Sequence, residues 1–514
     1  MFTNLLFGTT TPTTIQASAA PIWQDLHLTQ LFQRVCKDQG ADETDLLPFC
    51  YQPLTTAAAV VFRQEIFHDL EQAKIYQTVM DFIGVMNILK RRRAHLTQLD
   101  PEPYQQEQLL RLLQAEQRAL ANFHQQLIAL PLAASGLLTL RQELGDYLVA
   151  PATKVLQTRI TQLDQALTKI SYQAEFQGRH VWITTQTKTT PTFAKVFTDC
   201  FQGLFAEPTQ ISTPVAKLVR PGSDFDLDNL QTSVLLRLQH LEHEKFQELA
   251  DFCQEYQTYQ VPGLAELWQA LQFYLVWTKI IQHLRHAGLS FCLPKVVETG
   301  TEQVHASFDL ELALQLDHRG QLAQLVTNDY QLPAASSFLV ISGPNQGGKT
   351  TYARMVGEDY YLMALGLPIP GTAAQLKLKP LILTHFERVE RAEKISGLLA
   401  TDVERMHQIV QQTTPTSFVI MNELFSSTTA ADGLQLANKV LDLLQKRQAS
   451  GIYITFLTEL GQHAGVLSMM SQVAQGTTKR TYQVIPQTLD GQAYALTLLQ
   501  SYHLRAQDLE RRLE

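Results

Sequence analysis

Cysteine is scarce in this sequence and follows no paired pattern. The five residues, Cys36, Cys50, Cys200, Cys253 and Cys292, are scattered, and none forms a CxxC pair. An odd, dispersed set argues against a zinc site or a disulfide framework and points to a reducing compartment, here the cytoplasm. A basic excess is also missing. The 41 Lys and Arg stand against 49 Asp and Glu, a formal net charge of −8. Bulk attraction to nucleic acid is therefore excluded, and any such contact must come from a local patch. Long apolar runs are absent too. The most apolar helical stretch, 264–284, carries Glu266, Gln269, Gln272, Lys279 and Gln282, which is too polar for a membrane span. The first twenty residues end in small side chains but have no basic start, and their apolar stretch is only Leu5–Phe7. They read as mature chain, not as a signal peptide. What is present is a globular balance, 45% hydrophobic and 18% charged over 514 residues, enough for two to four domains with sizeable cores.

Apolar residues recur at three and four in Gln106–Leu130 and Pro151–Ile170, with few turn signals, so the region from about 23 to 175 reads as helical. Within it, the helix around Asp81–Lys90 runs into Lys90-Arg91-Arg92-Arg93. This run reads as a solvated helix end, where cations suit the dipole, with a phosphate-contacting patch as the alternative. After Gly178 the pattern changes. His180–Thr185 is β-branched and aromatic and reads as a strand. A loop-rich stretch with Pro191, Pro208, Pro214, Pro221 and Gly222 follows, so this region reads as a small insert. One long helix is expected from Asp226 to Tyr259, broken by Pro262-Gly263, and another to about His286; the pair would serve as levers or as bundle core. From about Ser307 short apolar strands alternate with helices, as in Phe338–Ile341, Thr351–Gly366, Ser417–Met421, Gly433–Lys446 and Ile452–Phe456. That alternation predicts a doubly wound α/β domain.

The sharpest signal is Gly343-Pro344-Asn345-Gln346-Gly347-Gly348-Lys349-Thr350, which fits the Walker A pattern GxxxxGK[ST] between an apolar strand and a helix. Glycines let successive backbone N–H groups turn toward a phosphate, and the helix N-terminus adds positive charge there. Lys349 would reach the β- and γ-phosphates of ATP, and Thr350 would ligate Mg²⁺. About 70 residues on, the strand Ser417–Met421 ends in Asn422-Glu423. Glu423 is the candidate for polarising the attacking water. Asn422 occupies a position where an Asp usually supports Mg²⁺; its amide oxygen can still ligate, directly or through water, but carries no charge.

The form Gly343-Pro344-Asn345-x-Gly347-Gly348-Lys349-Thr350-Thr351-Tyr352 resembles the P-loop of the MutS DNA mismatch-repair family, in which Pro-Asn follows the first glycine. Val326-Thr327-Asn328-Asp329 is similar to the family's segment against the adenine, and Ala364–Pro370 to the turn after the P-loop helix. Met421-Asn422-Glu423 with Ser427-Thr428-Thr429 and Asp432-Gly433 resembles the family's acidic strand end. Asp490-Gly491-x-Ala493-Tyr494-Ala495-Leu496 resembles its C-terminal segment, and Tyr51–Leu54 with Arg63-Gln64 the start of its helical core. The resemblance implies an α-helical core and lever region followed by an α/β P-loop ATPase domain of the MutS/ABC type. The divisions would be an N-terminal segment 1–45, helical core 46–177, a reduced clamp-like insert 178–225, lever helices 226–300 and the ATPase domain 301–514. It further implies ATP hydrolysis with Mg²⁺, a homodimer completing each ATP site across its interface, and a DNA partner, duplex or branched. The nucleotide residues would be Gly343, Pro344, Asn345, Gln346, Gly347, Gly348, Lys349, Thr350, Thr351 and Asn328.

Departures from the family pattern are equally specific. About 50 residues precede the core, too few for the family's mismatch-reading module with its Phe-x-Glu wedge, and Phe246-Gln247-Glu248 fits those letters only in mid-helix. With Glu514 directly after the ATPase region, the nuclease role of the recombination-suppressing branch is not expected. A His follows the Thr of the next strand in the family, whereas this chain has Thr455-Phe456. The family's signature helix corresponds to Ser396-Gly397 through Met406 with an altered sequence. Asn422 and Phe456 imply slow hydrolysis. The alternative is a nucleotide-switched binding protein with little or no turnover, or a structure-selective DNA binder that ignores mismatches.

Overall fold

A computed structural model describes residues 2–8, 22–38, 42–177, 180–185, 229–386, 397–474 and 480–489. The helical reading of the first third gives α1 (Ile22–Asp25), α2 (Leu28–Asp38), α3 (Glu43–Cys50), α4 (Ala57–Leu70), α5 (Ala73–His95), α6 (Glu102–Ile128), α7 (Ser135–Val149) and α8 (Pro151–Thr168). The antiparallel strands β1 (Tyr172–Gln177) and β2 (His180–Thr185) follow. Next come α9 (Asn229–Leu241), α10 (His243–Tyr256) and α11 (Leu264–His286). The remainder alternates: β3 (Phe291–Cys292), β4 (Lys295–Val296), β5 (Glu302–Ser307), α12 (Leu310–His318), β6 (Asn328–Leu332), β7 (Phe338–Ser342), α13 (Lys349–Ala364), β8 (Ile369–Pro370), β9 (Ala373–Leu376) and β10 (Leu381–His385). It closes with α14 (Leu398–Gln412), β11 (Ser417–Asn422), α15 (Ala430–Lys446), β12 (Ser450–Ile454), β13 (Val466–Val473) and β14 (Arg480–Pro486).

These elements form two compact units, one of residues 1–2, 77–130 and 140–264, the other of residues 3–76, 131–139 and 265–514. The second unit takes in much of the N-terminal segment along with the P-loop region, so the sequence divisions at 45 and 300 do not mark compact-unit limits. Among the described residues no helix is long and apolar enough to cross a membrane.

In the first unit, Leu109, Leu110 and Leu113 of α6 pack with Leu156, Ile160 and Leu163 of α8 and with Phe246, Leu249 and Phe252 of α10. Three expectations change here. The strand region starts at Tyr172, ahead of Gly178. The single helix expected from 226 to 259 is two, because Glu242 leaves helical geometry at φ −113° and ψ 39°. Leu238 and Phe246 on either side of that break still join one cluster. Asp226 itself lies outside the described residues. The basic run is not uniformly solvated. Lys90, Arg91 and Arg92 are exposed, but Arg93 donates to both carboxylate oxygens of the buried Glu116 at 2.7 and 2.8 Å and to the Tyr259 carbonyl at 3.1 Å. A carboxylate taken out of water needs such a partner, and burial pushes the Glu116 pKa up while Arg93 opposes it.

In the second unit, six strands run in the order β10-β11-β12-β7-β13-β14, parallel except for β14. Every residue of β7 and β12 is buried, as expected of parallel strands covered on both faces. On one face, Met406 and Ile409 of α14 and Leu441 and Leu444 of α15 pack on Phe338, Val340, Val419 and Met421. On the other lies α13, whose Tyr360 ring meets Phe418 at 4.3 Å. Arg63 of α4, fully buried, donates to the carbonyls of Leu6 and Leu365. Its second contact holds the turn that ends α13, where Gly366 has φ 70° and an added Cβ would strike the arginine at 2.7 Å. The helix that starts at the P-loop is thereby tied to α4 inside one unit.

Candidate functional site

β7 lies between β12 and β13, so the loop leaving its C-terminal end emerges where parallel sheets bind ligands. That loop is 343–348. Gly348 has φ 90° and begins α13, a conformation that side chains other than glycine adopt only under strain. Gly347 cannot carry a Cβ, which would collide with Ser471 Oγ. The same hydroxyl donates to the Gly347 carbonyl at 2.6 Å, fixing the loop from β13. Arg480 of β14 donates its Nε–H to the Asn345 carbonyl at 3.1 Å. Tyr482, half-exposed with φ 60°, lies beside Gly348.

Together these segments enclose a cleft of about 710 Å³, in the size range of nucleotide and cofactor sites. Of the residues expected from sequence, Asn328, Asn345, Gln346, Gly347, Gly348, Lys349, Thr350, Thr351 and Glu423 line it. Val326 and Tyr482 add apolar wall. Gly343, Pro344 and Asn422 do not line it. The first two turn their carbonyls to Lys349, whose ammonium donates to them at 2.9 and 3.1 Å. Asn328 is on the wall, but its amide is engaged in the sheet. Its Nδ2 donates to the Tyr482 carbonyl at 3.0 Å, and its Oδ1 accepts from the Val484 N–H at 2.8 Å. Its observed bonds thus hold β6 to β14.

Glu423 follows the C-terminal end of β11 with φ 55°, its N–H bonded to the Ile454 carbonyl at 2.9 Å. A carboxylate residue held in the left-handed region is strained by about 1–3 kcal/mol, a feature that clusters at functional sites. Burial pushes the Lys349 pKa down; the Glu423 charge raises it, and the Arg480 charge lowers it further. After the strand end, Thr429 caps α15 by accepting the Asp432 N–H at 3.2 Å, which gives the Thr429 and Asp432 pattern a structural role. In the helix expected to correspond to the family's signature helix, Asp402 of α14 bonds His385 of β10 at 3.1 Å; Ser396 lies outside the described residues, as do the segment 490–496 and the prolines of the insert.

The donor set suits magnesium better than a softer metal. Among the described residues no group of three or more His, Cys, Asp or Glu could hold an ion; the candidate donors beside the loop are oxygens, the Thr350 hydroxyl and the Asn422 amide. Asn422 Oδ1 is buried and accepts no hydrogen bond from the described residues, and the Thr350 hydroxyl lies in the first turn of α13. Magnesium takes such sparse oxygen sets and completes its shell with water and phosphate.

Behind the cleft is a buried acidic group. Asp309 lines the cleft and caps α12 through the Leu312 N–H at 2.8 Å. Burial pushes its carboxyl up to about 6 from an ordinary 3.8, against the lowering effects of that N–H and of Arg354. Glu358 and Asp359 are raised well above the carboxylate range by burial and by Asp309. Folding here favours the protonated acids. Their contribution to stability is complete below about pH 4 and is lost as pH rises through the folded values, about 6 for Asp309. Urea unfolding should show about 1 kcal/mol more stability from Asp309 at pH 5 than at pH 7.5. Asp309→Asn should remove that part of the slope; an unchanged profile would refute the assignment.

The family model for MutS domain V matches residues 339–502. Among curated relatives, the chain is 29% identical over 187 residues to the DNA mismatch repair protein MutS of Granulibacter bethesdensis, covering 35% of this chain and 19% of that protein. It is 28% identical over 141 residues to the DNA mismatch repair protein MSH4 of Arabidopsis thaliana, covering 27% and 18%. It is 28% identical over 167 residues to the endonuclease MutS2 of Thermotoga maritima, covering 32% and 22%. The chain thus spans about a fifth of the length of these relatives.

Proposed function

We propose that this chain, similar to MutS proteins and matching MutS domain V over residues 339–502, binds ATP with magnesium in the cleft and turns nucleotide state into a change of shape. The observation that carries this is the meeting of the P-loop, Thr350 and Glu423 on one cleft. Loop N–H groups and the start of α13 would hold the phosphates, and Lys349 would move from its carbonyl partners to the β- and γ-phosphates. Thr350 would hold magnesium from the cleft wall, with Asn422 behind it acting through water, and the ion would supply charge neutralisation there. Glu423 would accept the proton of the attacking water, giving ADP and phosphate. Tyr482 and Val326 provide the apolar surface a base requires.

The shape change would act in a homodimer, in the cytoplasm, on duplex or branched DNA. Relatives named for DNA mismatch repair support DNA as the molecule acted on. Since a ligand that binds the assembled state favours assembly by mass action, light scattering should give a dimer at tens of micromolar chain with MgATP. A monomer under those conditions would rule out a shared site. A second reading, a nucleotide switch with little turnover, is favoured by the uncharged Asn422 and by Phe456. Phosphate release with and without DNA separates the two: stimulation by DNA supports the ATPase, and its absence in both supports the switch.

A further inference from the structure

Phe456 leaves the sheet directly beside the P-loop strand. The Thr455 N–H bonds the Ile341 carbonyl of β7 at 3.0 Å, and the Thr455 hydroxyl accepts the Leu457 N–H at 3.0 Å. Both bonds fix the backbone around residue 456. Phe456 remains 50% exposed, so packing into the core does not account for it. It does carry the Lys349 ammonium, 4.6 Å from its centroid. With the carbonyls of Gly343 and Pro344, the ring completes a set of protein partners around a lysine that is only 5% exposed.

We propose that Phe456 is a positioning residue for Lys349: its ring holds the ammonium back against the loop in the empty site, so a nucleotide must draw the lysine off the ring before its phosphates are paired. This rests on the ATP-binding reading above. The contact is an electrostatic attraction to the face of the ring, so Tyr preserves it and Leu, though apolar, does not. Nucleotide affinity is then set in part by a side chain that does not itself line the cleft.

The test uses the full chain carrying lysine labelled with ¹³C at the ε-carbon, the Lys349 resonance being identified by its loss in Lys349→Arg. In the native protein the ring current should place that signal upfield of the other lysines. MgATP should return it toward them, as should Phe456→Leu without nucleotide, and Phe456→Tyr should keep it upfield. Phe456→Leu should bind ATP about threefold to thirtyfold tighter than the native chain, with Phe456→Tyr near native. An unshifted native signal overturns the proposal, as does ATP affinity in Phe456→Leu that is equal to or weaker than native. Failure of every form to bind millimolar ATP, with the upfield signal present, overturns the ATP-binding reading itself and is distinguishable from those outcomes.

Discussion

Lys349→Ala should leave the protein folded and weaken ATP binding by about 2–5 kcal/mol, a loss of roughly thirtyfold to several thousandfold. Among the described residues Lys349 is the cation that lines the cleft beside the loop N–H groups, and a triphosphate that loses it keeps its charge without that counter-ion. The fold should survive because, among the described residues, the ammonium bonds loop carbonyls and the face of an exposed ring, and water can replace an ammonium at those carbonyls. Equilibrium binding by calorimetry, with circular dichroism to verify folding, decides the matter. Affinity within threefold of native would mean that the loop cradles something other than a nucleotide.

Glu423→Gln should abolish turnover and keep ATP bound. The change removes a base at the end of β11 and leaves loop, helix and cleft volume as they are. A loss of about 10²–10⁴ in kcat is the range for removing a general base. Asn422→Asp should act in the other direction. It places a charge where an unpartnered amide oxygen now sits, which should tighten magnesium and raise turnover. Single-turnover phosphate release on the two variants separates an enzyme from a switch. Native turnover matched by Glu423→Gln would make the carboxylate structural.

The loop 343–350 and its flanking strand and helix were legible because their chemistry is local: glycines at fixed spacing, an apolar strand before them and a helix after. Glu423 was legible for the same reason, as a carboxylate ending an apolar strand. Ser471, Arg480 and Tyr482 were not, because they reach the loop only once β13 and β14 join the sheet beside β7, more than 120 residues later in the chain. The tie from Arg63 to the end of α13 spans 302 residues, and no periodicity reports such a contact. The break at Glu242 carries neither proline nor glycine, so nothing local marked it. Arg93 stands in a run with three basic neighbours, yet its carboxylate partner lies on the next helix, α6, which a run of charges does not reveal. The bonds of the Asn328 amide were not legible either, because it meets a strand that comes 154 residues later.

Whether the cleft beneath residues 343–350 takes ATP is decided by calorimetric titration of the native chain with MgATP. The expected result is saturable binding of one nucleotide per chain in the micromolar range, lost in Lys349→Ala. No saturable binding at millimolar MgATP, from a folded protein, would contradict it.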